Sequence, residues 1–415
     1  MRLRAVKAAM PYRRFSGIWG CSRQSCGGSF GLMFSLDRSK NDTSVTLDLM
    51  RAVAAQMVCV GHALFFSFEW RPAQLPYMQN VGVLLFFVLS GFWITSTLIE
   101  RSKDPAYGFW RFFVDRFARI YSGLGPALVL IVLIDGAMIY LKGAHDIARY
   151  DNWQTLVANL FMLEGYRGAF DNLQALQWST FGSAAPLWTL AIEWHIYMFV
   201  GALFFMVARP RSIPYLIPVV LVFGQSPIHY LFGALQPDGL VGQGLFALWL
   251  GGACVFLAAR TIKVPFPLAV ILMLISAACY VSFTSAHHEY NFRSYAILLI
   301  FVVAVVMASQ ANRLITSARL IAAITFFAGY SFTLYLVHHT ILTAVSLLWP
   351  DSGWAGFICS ILLSNILAAG IAMGTEMKHK SLARFLLKAR LRGSPDLTVP
   401  SEMPEAERSR QAIPS

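Results

Sequence analysis

The sequence predicts an all-α, polytopic membrane protein with about ten transmembrane helices and both termini in the cytosol. Three observations carry that prediction. The 415 residues are 57% hydrophobic and only 13% charged, with a mean hydropathy of +0.58, whereas a soluble globular chain is about 25% charged. Apolar runs of about 18 residues or more recur along the chain, each enough to cross the hydrocarbon core. They must be helical, because lipid offers the backbone no hydrogen-bond partners. Finally, with the N-terminus inside, the cytosolic segments hold 27 Lys and Arg and the outer segments hold 5. That asymmetry orients membrane chains and requires an even number of spans.

Residues 1–44 are basic and poorly periodic. They lack the continuous apolar stretch of a cleaved signal peptide. Met33 opens MFSLDRSKND just before the first span, so two starts are open: Met33 itself, or a genuine cytosolic arm from Met1. The spans are placed at 45–67, 81–99, 121–141, 187–208, 213–232, 240–259, 266–284, 294–310, 321–348 and 354–376. The stretch 153–163 is apolar but too short to cross, and reads as interfacial or re-entrant. Residues 45–376 thus form one membrane domain, and 377–415 a basic, then polar and proline-containing cytosolic tail of disordered character. The net charge of +12 does not imply nucleic acid, because the basic residues cluster beside spans. The six cysteines, Cys21, Cys26, Cys59, Cys254, Cys279 and Cys359, have neither zinc spacing nor the pattern of a disulfide framework, and no metal is expected.

The first span, LDLMRAVAAQMVCVGHALFF, carries two residues foreign to lipid, Arg51 and His62. At about 100° per residue, eleven positions are three turns plus roughly 20°, so both leave one face, about 16 Å apart along the axis. Burying such groups costs several kcal/mol, which makes function the default reading. Arg is a natural phosphate ligand through its planar fork of donors, and imidazole is the natural general base at neutral pH. The competing reading of His62 is a packed histidine donating to a backbone carbonyl.

Other spans add candidates. FWRFFVDRFARIYSGLGP places Arg111, Arg116 and Arg119 among aromatics before the third span. Arg116 and Arg119, three apart, project together, either as a phosphate clamp or as topology-setting, snorkelling cations. In GVLLFFVLSGFWIT, Ser90 and Gly91 are either small residues for close helix approach or, for Ser90, a nucleophile. APLWTLAIEWHIYMF holds Trp188 at the interface, Glu193 within the membrane and Tyr197 one turn on, with His195 turned away from Glu193. A carboxylate at that depth needs a partner or a proton: it tunes His62, binds an acceptor hydroxyl, or forms a structural ion pair. GYSFTLYLVHHTIL brings Tyr335, His338 and His339 to the depth of His62, whereas His287 and His288 read as loop surface.

Taken in order, LDLMRAVAAQMVCVGH with its Arg-x10-His, FFVLSGFWIT, DRFARIY with its Arg-x2-Arg, PLWTLAIEWHIY and YSFTLYLVHH cover nearly all of 45–376. Together they resemble the membrane-bound acyltransferase family three, which includes glycan O-acetylases, nodulation-factor acetylases and macrolide acylases. The resemblance implies a ten-span O-acyltransferase of a bacterial inner or plasma membrane. Such an enzyme moves an acyl group, usually acetyl, from cytosolic acyl-CoA to a hydroxyl of an acceptor such as a saccharide. Acyl-CoA is then a co-substrate and no cofactor is needed. His62, Glu193 and His338 become the catalytic set, and Arg51, Arg116, Arg119, Tyr335 and Trp188 the substrate-binding set. His195 stands where the family commonly has glutamine or a similar residue. Some members carry an esterase-like C-terminal domain, which this chain lacks, so an onward transfer partner would be separate. The rival class is a transporter or flippase of an amphiphilic glycan intermediate, its buried charges forming a proton relay. No inverted repeat supports it.

Overall fold

The computed structural model describes residues 41–166, 168–169, 173–232, 242–286, 288–311 and 313–392. The expectations for the arm before residue 41, for Met33 as a start, for Cys21, Cys26 and His287, and for the far part of the tail lie outside the described residues.

The elements run α1 (Thr43–Phe68), α2 (Met78–Arg101), α3 (Phe109–Lys142), the short α4 (His145–Ala148) and α5 (Trp153–Leu160), α6 (Leu187–Ala208), α7 (Ile213–Phe223), α8 (Gln225–Phe232), α9 (Leu245–Thr261), α10 (Phe266–Phe283), α11 (Phe292–Ala311), α12 (Ala318–Leu348), α13 (Gly353–Gly374) and α14 (His379–Arg392). The described residues form no strand, only an isolated bridge between Glu164 and Trp178.

Every expected span falls on helix, but the count differs. Eight helices are long and apolar enough to cross alone, and α7 with α8 makes a ninth if the bent pair is one span. The pair bends by 53°. Pro227 supplies the reason: it has no N–H to return to the carbonyl of Phe223, and its ring would strike that carbonyl. The stretch 240–259 yields the 17-residue α9, because Gly242 and Gly244 take φ of +92° and +74°, a left-handed backbone that ends a helix. The stretch 153–163 contains the small α5, with Trp153, Val157, Leu160 and Phe161 exposed.

Close packing centres on α1, α2, α9 and α12. The longest mutual contacts are α2 on α9 and α1 on α12. Gly91 and Gly252 let α2 and α9 approach: a Cβ on Gly91 would lie 1.9 Å from the carbonyl oxygen of Trp249, and one on Gly252 2.1 Å from that of Val88. Gly91 thus serves the close approach that small residues permit. α1 and α12 run parallel, since Arg51 meets Ala328 and His62 meets His338. Asp42 ties the start of α1 to the α11–α12 connection, accepting from the N–H groups of Leu314 at 2.5 Å and Ile315 at 2.9 Å.

The tail expected to be unstructured begins with a helix. α14 lays Leu382, Ala383, Leu386 and Leu387 against Phe113, Val114 and Ala118 of α3. Its sequence, HKSLARFLLKARLR, repeats apolar residues at helical spacing between cations.

Candidate functional site

The face of α1 that carries Arg51 and His62 is turned to α12. An Arg51 Nη2 donates to the carbonyl of Ala328 at 2.9 Å and lies 3.5 Å from Asp48 Oδ1. Its Nε is buried without a hydrogen-bond partner. Nearly two turns beyond the middle of the helix, His62 Nδ1 lies 3.1 Å from the carbonyl of Val58 and 3.1 Å from His338 Nε2.

That histidine pair has one consistent arrangement of protons when both rings are neutral. His338 Nδ1 faces the carbonyls of Leu334 at 3.1 Å and Tyr335 at 2.8 Å, and carbonyls only accept. The Nδ1 therefore carries the proton and Nε2 is a lone pair. That lone pair faces His62 Nδ1, which must be the donor. His62 Nε2 is then left as a lone pair, the form needed for a base or nucleophile. The packed-histidine contact occupies Nδ1 and leaves Nε2 of the same ring without that engagement. His339 lies alongside, its ring 5.4 Å from that of His62 and its Nδ1 donating to the carbonyl of Ser183 at 2.6 Å.

A cavity of about 1110 Å³ opens on the other side of this arrangement, lined among others by Arg51, Arg116, Arg119, Glu193 and Tyr197. It is large enough for a cofactor-sized ligand. Glu193 is held from behind. Tyr197 donates to its carboxylate, Ser90 is 2.8 Å from Tyr197, and Trp249 Nε1 donates to Ser90 at 3.0 Å. Since Tyr197 spends its proton on Glu193, Ser90 must donate to Tyr197. Ser90 is thereby engaged on both sides, which argues against the nucleophile reading.

Arg119 forms an ion pair with Glu376 at 2.9 Å. Glu376 has no exposed surface and also accepts from Thr333 N at 3.0 Å and Thr333 Oγ1 at 2.8 Å. Arg111 stands apart, exposed and 3.6 Å from Asp104. Glu376, His379 and Lys380 line the cavity too and were missed in the sequence. The signal was a single carboxylate closing the last span and followed at once by a basic helix. Burial, and after it the positive Arg119, hold the His379 imidazole below its ordinary range.

The remaining candidates lie behind the cavity wall. Phe86 lines the cavity and meets Tyr335 edge-on at 5.6 Å, and the Tyr335 ring is 6.0 Å from that of His338. The Tyr335 hydroxyl pairs with Thr189 and donates to the carbonyl of Pro186 at 3.3 Å. Thr189 and Glu193 are one turn apart on α6, so both hydrogen-bond sets spring from one helix face. His62 is not among the residues lining the cavity. Arg51 and His62 thus share a helix face but not this cavity, and the Phe86–Tyr335 contact links its lining to the histidine pair. Trp188 also lies off the cavity, beside the backbone of Gly242. His195 donates to the carbonyl of Ala191 at 2.7 Å and packs against Tyr166 and Phe223, away from Glu193.

The family model described as an acyltransferase domain matches residues 45–373, the span that holds all of these groups except Glu376, His379 and Lys380. The chain belongs to the membrane-bound acyltransferase family three. Among its relatives, the peptidoglycan O-acetyltransferase OatA of Listeria monocytogenes is 22% identical over 322 residues, 72% of this chain and 49% of the relative. The putative peptidoglycan O-acetyltransferase YrhL of Bacillus subtilis is 31% identical over 184 residues, 40% of this chain and 25% of the relative. A putative O-acetyltransferase of Staphylococcus aureus is 26% identical over 157 residues, 37% and 23%. The matched stretches thus span half the length of these curated relatives or less. No solved structure matches the chain.

Proposed function

We propose that this acyltransferase moves an acyl group, acetyl in the simplest case, from cytosolic acyl-CoA to a hydroxyl of a saccharide acceptor at the outer side of the cytoplasmic membrane. The observation that carries the reading is the cavity in which Arg51, Arg116 and Arg119 face a common space with Glu193. Clustered guanidiniums suit the phosphates of a CoA. The relatives' names add the acceptor class: two concern peptidoglycan, whose reacting groups are sugar hydroxyls.

The chemistry follows from the lone pair on His62 Nε2. It takes the proton of the acceptor hydroxyl as the oxygen attacks the thioester carbonyl. The C–S bond then breaks, and the imidazolium returns the proton to the departing CoA thiolate. Alternatively the same lone pair attacks the thioester carbonyl and expels the CoA thiolate, leaving an acyl-imidazole that the acceptor hydroxyl then cleaves, its proton passing to the thiolate. In both routes His338 holds the tautomer and orients the ring. Glu193 hydrogen-bonds the acceptor or stabilises charge near the thioester. The pantetheine arm reaches His62 once the Phe86–Tyr335 contact swings open.

Purified protein supplied with labelled acetyl-CoA and a soluble glycan acceptor tests this. His62→Ala is expected to lower transfer by about 10²–10⁴-fold, the share general-base catalysis usually holds. His338→Ala, which only frees the ring, should cost less. Arg51→Ala should raise the KM for the donor. Full transfer in folded His62→Ala would overturn the assignment, and movement of a glycan lipid without acyl-CoA consumption would point to the transporter class.

A further inference from the structure

The cations around the cavity are not equally engaged. Arg51 is held by Asp48 and the carbonyl of Ala328, and Arg119 by Glu376. Among the described residues, Arg116 makes neither hydrogen bond nor ion pair. Its guanidinium lies 6.0 Å from the Phe112 ring, and its Nε is buried without a partner. Lys380 also lines the cavity, is exposed, and pairs with no carboxylate among the described residues. It gets there because α14 packs its apolar side on α3, the helix that carries Arg116.

The polar groups lining the cavity grade in exposure: Tyr197 and Ser90 are buried, the α3 guanidiniums are half-buried, and Lys380 is exposed. An acyl-CoA has a matching order from its reactive end: thioester, neutral pantetheine arm, pyrophosphate, and last the adenosine with its ribose 3′-phosphate monoester. With the thioester turned inward, the pyrophosphate falls to the α3 guanidiniums and the 3′-phosphate to the mouth. We infer that Lys380, delivered by α14, is a donor-binding residue that reads the 3′-phosphate of the acyl-CoA. The inference rests on the acyl-CoA donor proposed above. An ammonium on a flexible stem can follow a phosphate monoester at a solvent-exposed rim, and a guanidinium there can do the same in part.

The test compares acetyl-CoA with acetyl-3′-dephospho-CoA as donors for the full-length protein. The wild type should show a several-fold higher KM for the dephospho donor at similar kcat. Lys380→Ala should raise the KM for acetyl-CoA to that of the dephospho donor, leaving the two indistinguishable, and Lys380→Arg should restore much of the difference. Lys378→Ala, exposed and off the cavity, should keep the wild-type ratio. If Lys380→Ala still distinguishes the two donors as the wild type does, the assignment of Lys380 fails while the donor stands. A wild type indifferent to the 3′-phosphate also overturns it. If the wild type consumes neither donor, the acyl-CoA reading itself fails.

Discussion

Glu376 has no exposed surface and is the carboxylate on which one wall of the cavity turns. It binds the guanidinium of Arg119 and two donors of Thr333 at once. A buried charge that loses its partner leaves the other uncompensated, a loss of about 3–5 kcal/mol. Glu376→Ala should therefore lower the thermal unfolding midpoint of the detergent-purified protein clearly. Glu376→Gln should lower it less, because the amide oxygen still accepts from Thr333. Equal stability of all three proteins would show that the ion pair is incidental. The histidine pair has a similar logic on a smaller scale. Two backbone carbonyls fix one proton on His338, and that fixes the next on His62. The chain of protons ends on the Nε2 lone pair of His62.

At the scale of elements, the α2–α9 contact is the tightest constraint. Gly91 and Gly252 each stand where a methyl group would enter the other helix's backbone, and backbones do not yield as a side chain end does. Overpacking of this kind typically costs about 1–3 kcal/mol. Gly91→Ala and Gly252→Ala are each expected to reduce the yield of monodisperse protein and its unfolding temperature. Gly125→Ala is the control, because a Cβ there meets nothing within 4 Å. Ser90 sits next to this contact and feeds the hydrogen bonds that end on Glu193. A shift of α2 should therefore also slow transfer in any surviving variant, and kcat is the readout. Element geometry likewise explains how a basic tail joins the site: its first turns are amphipathic, and α3 offers the apolar partner.

For the whole molecule, the parallel α1 and α12, the link from Asp42 to the α11–α12 connection and the approach of Arg119 to Glu376 gather the basic ends of several helices on one side. The turn after α1 and the one before α13 meet on the opposite side, where Phe68 and Trp354 are 4.7 Å apart. Single cysteines placed in a cysteine-free background should report this. Ser102→Cys and Lys378→Cys are expected to react with an impermeant thiol reagent only from the cytosolic side, and Arg71→Cys and Asp351→Cys only from the outer side. Labelling of Ser102→Cys and Lys378→Cys from opposite sides would contradict the shared cavity mouth.

The sequence by itself determined the class of the molecule and the raw material of its site. Hydropathy is a local property, so the helices could be read from it, and so could the common face of Arg51 and His62, which needs only the pitch of one helix. The length of α9 and the break between α7 and α8 were written in Gly242, Gly244 and Pro227, but an apolar average conceals such single residues. Tertiary structure decided the pairings: His62 with His338, Arg119 with Glu376, Lys380 with the cavity, and Phe86 with Tyr335. These partners lie on different helices, most of them hundreds of residues apart. Which faces meet depends on how helices pack as solids, and no periodicity within one helix carries that information.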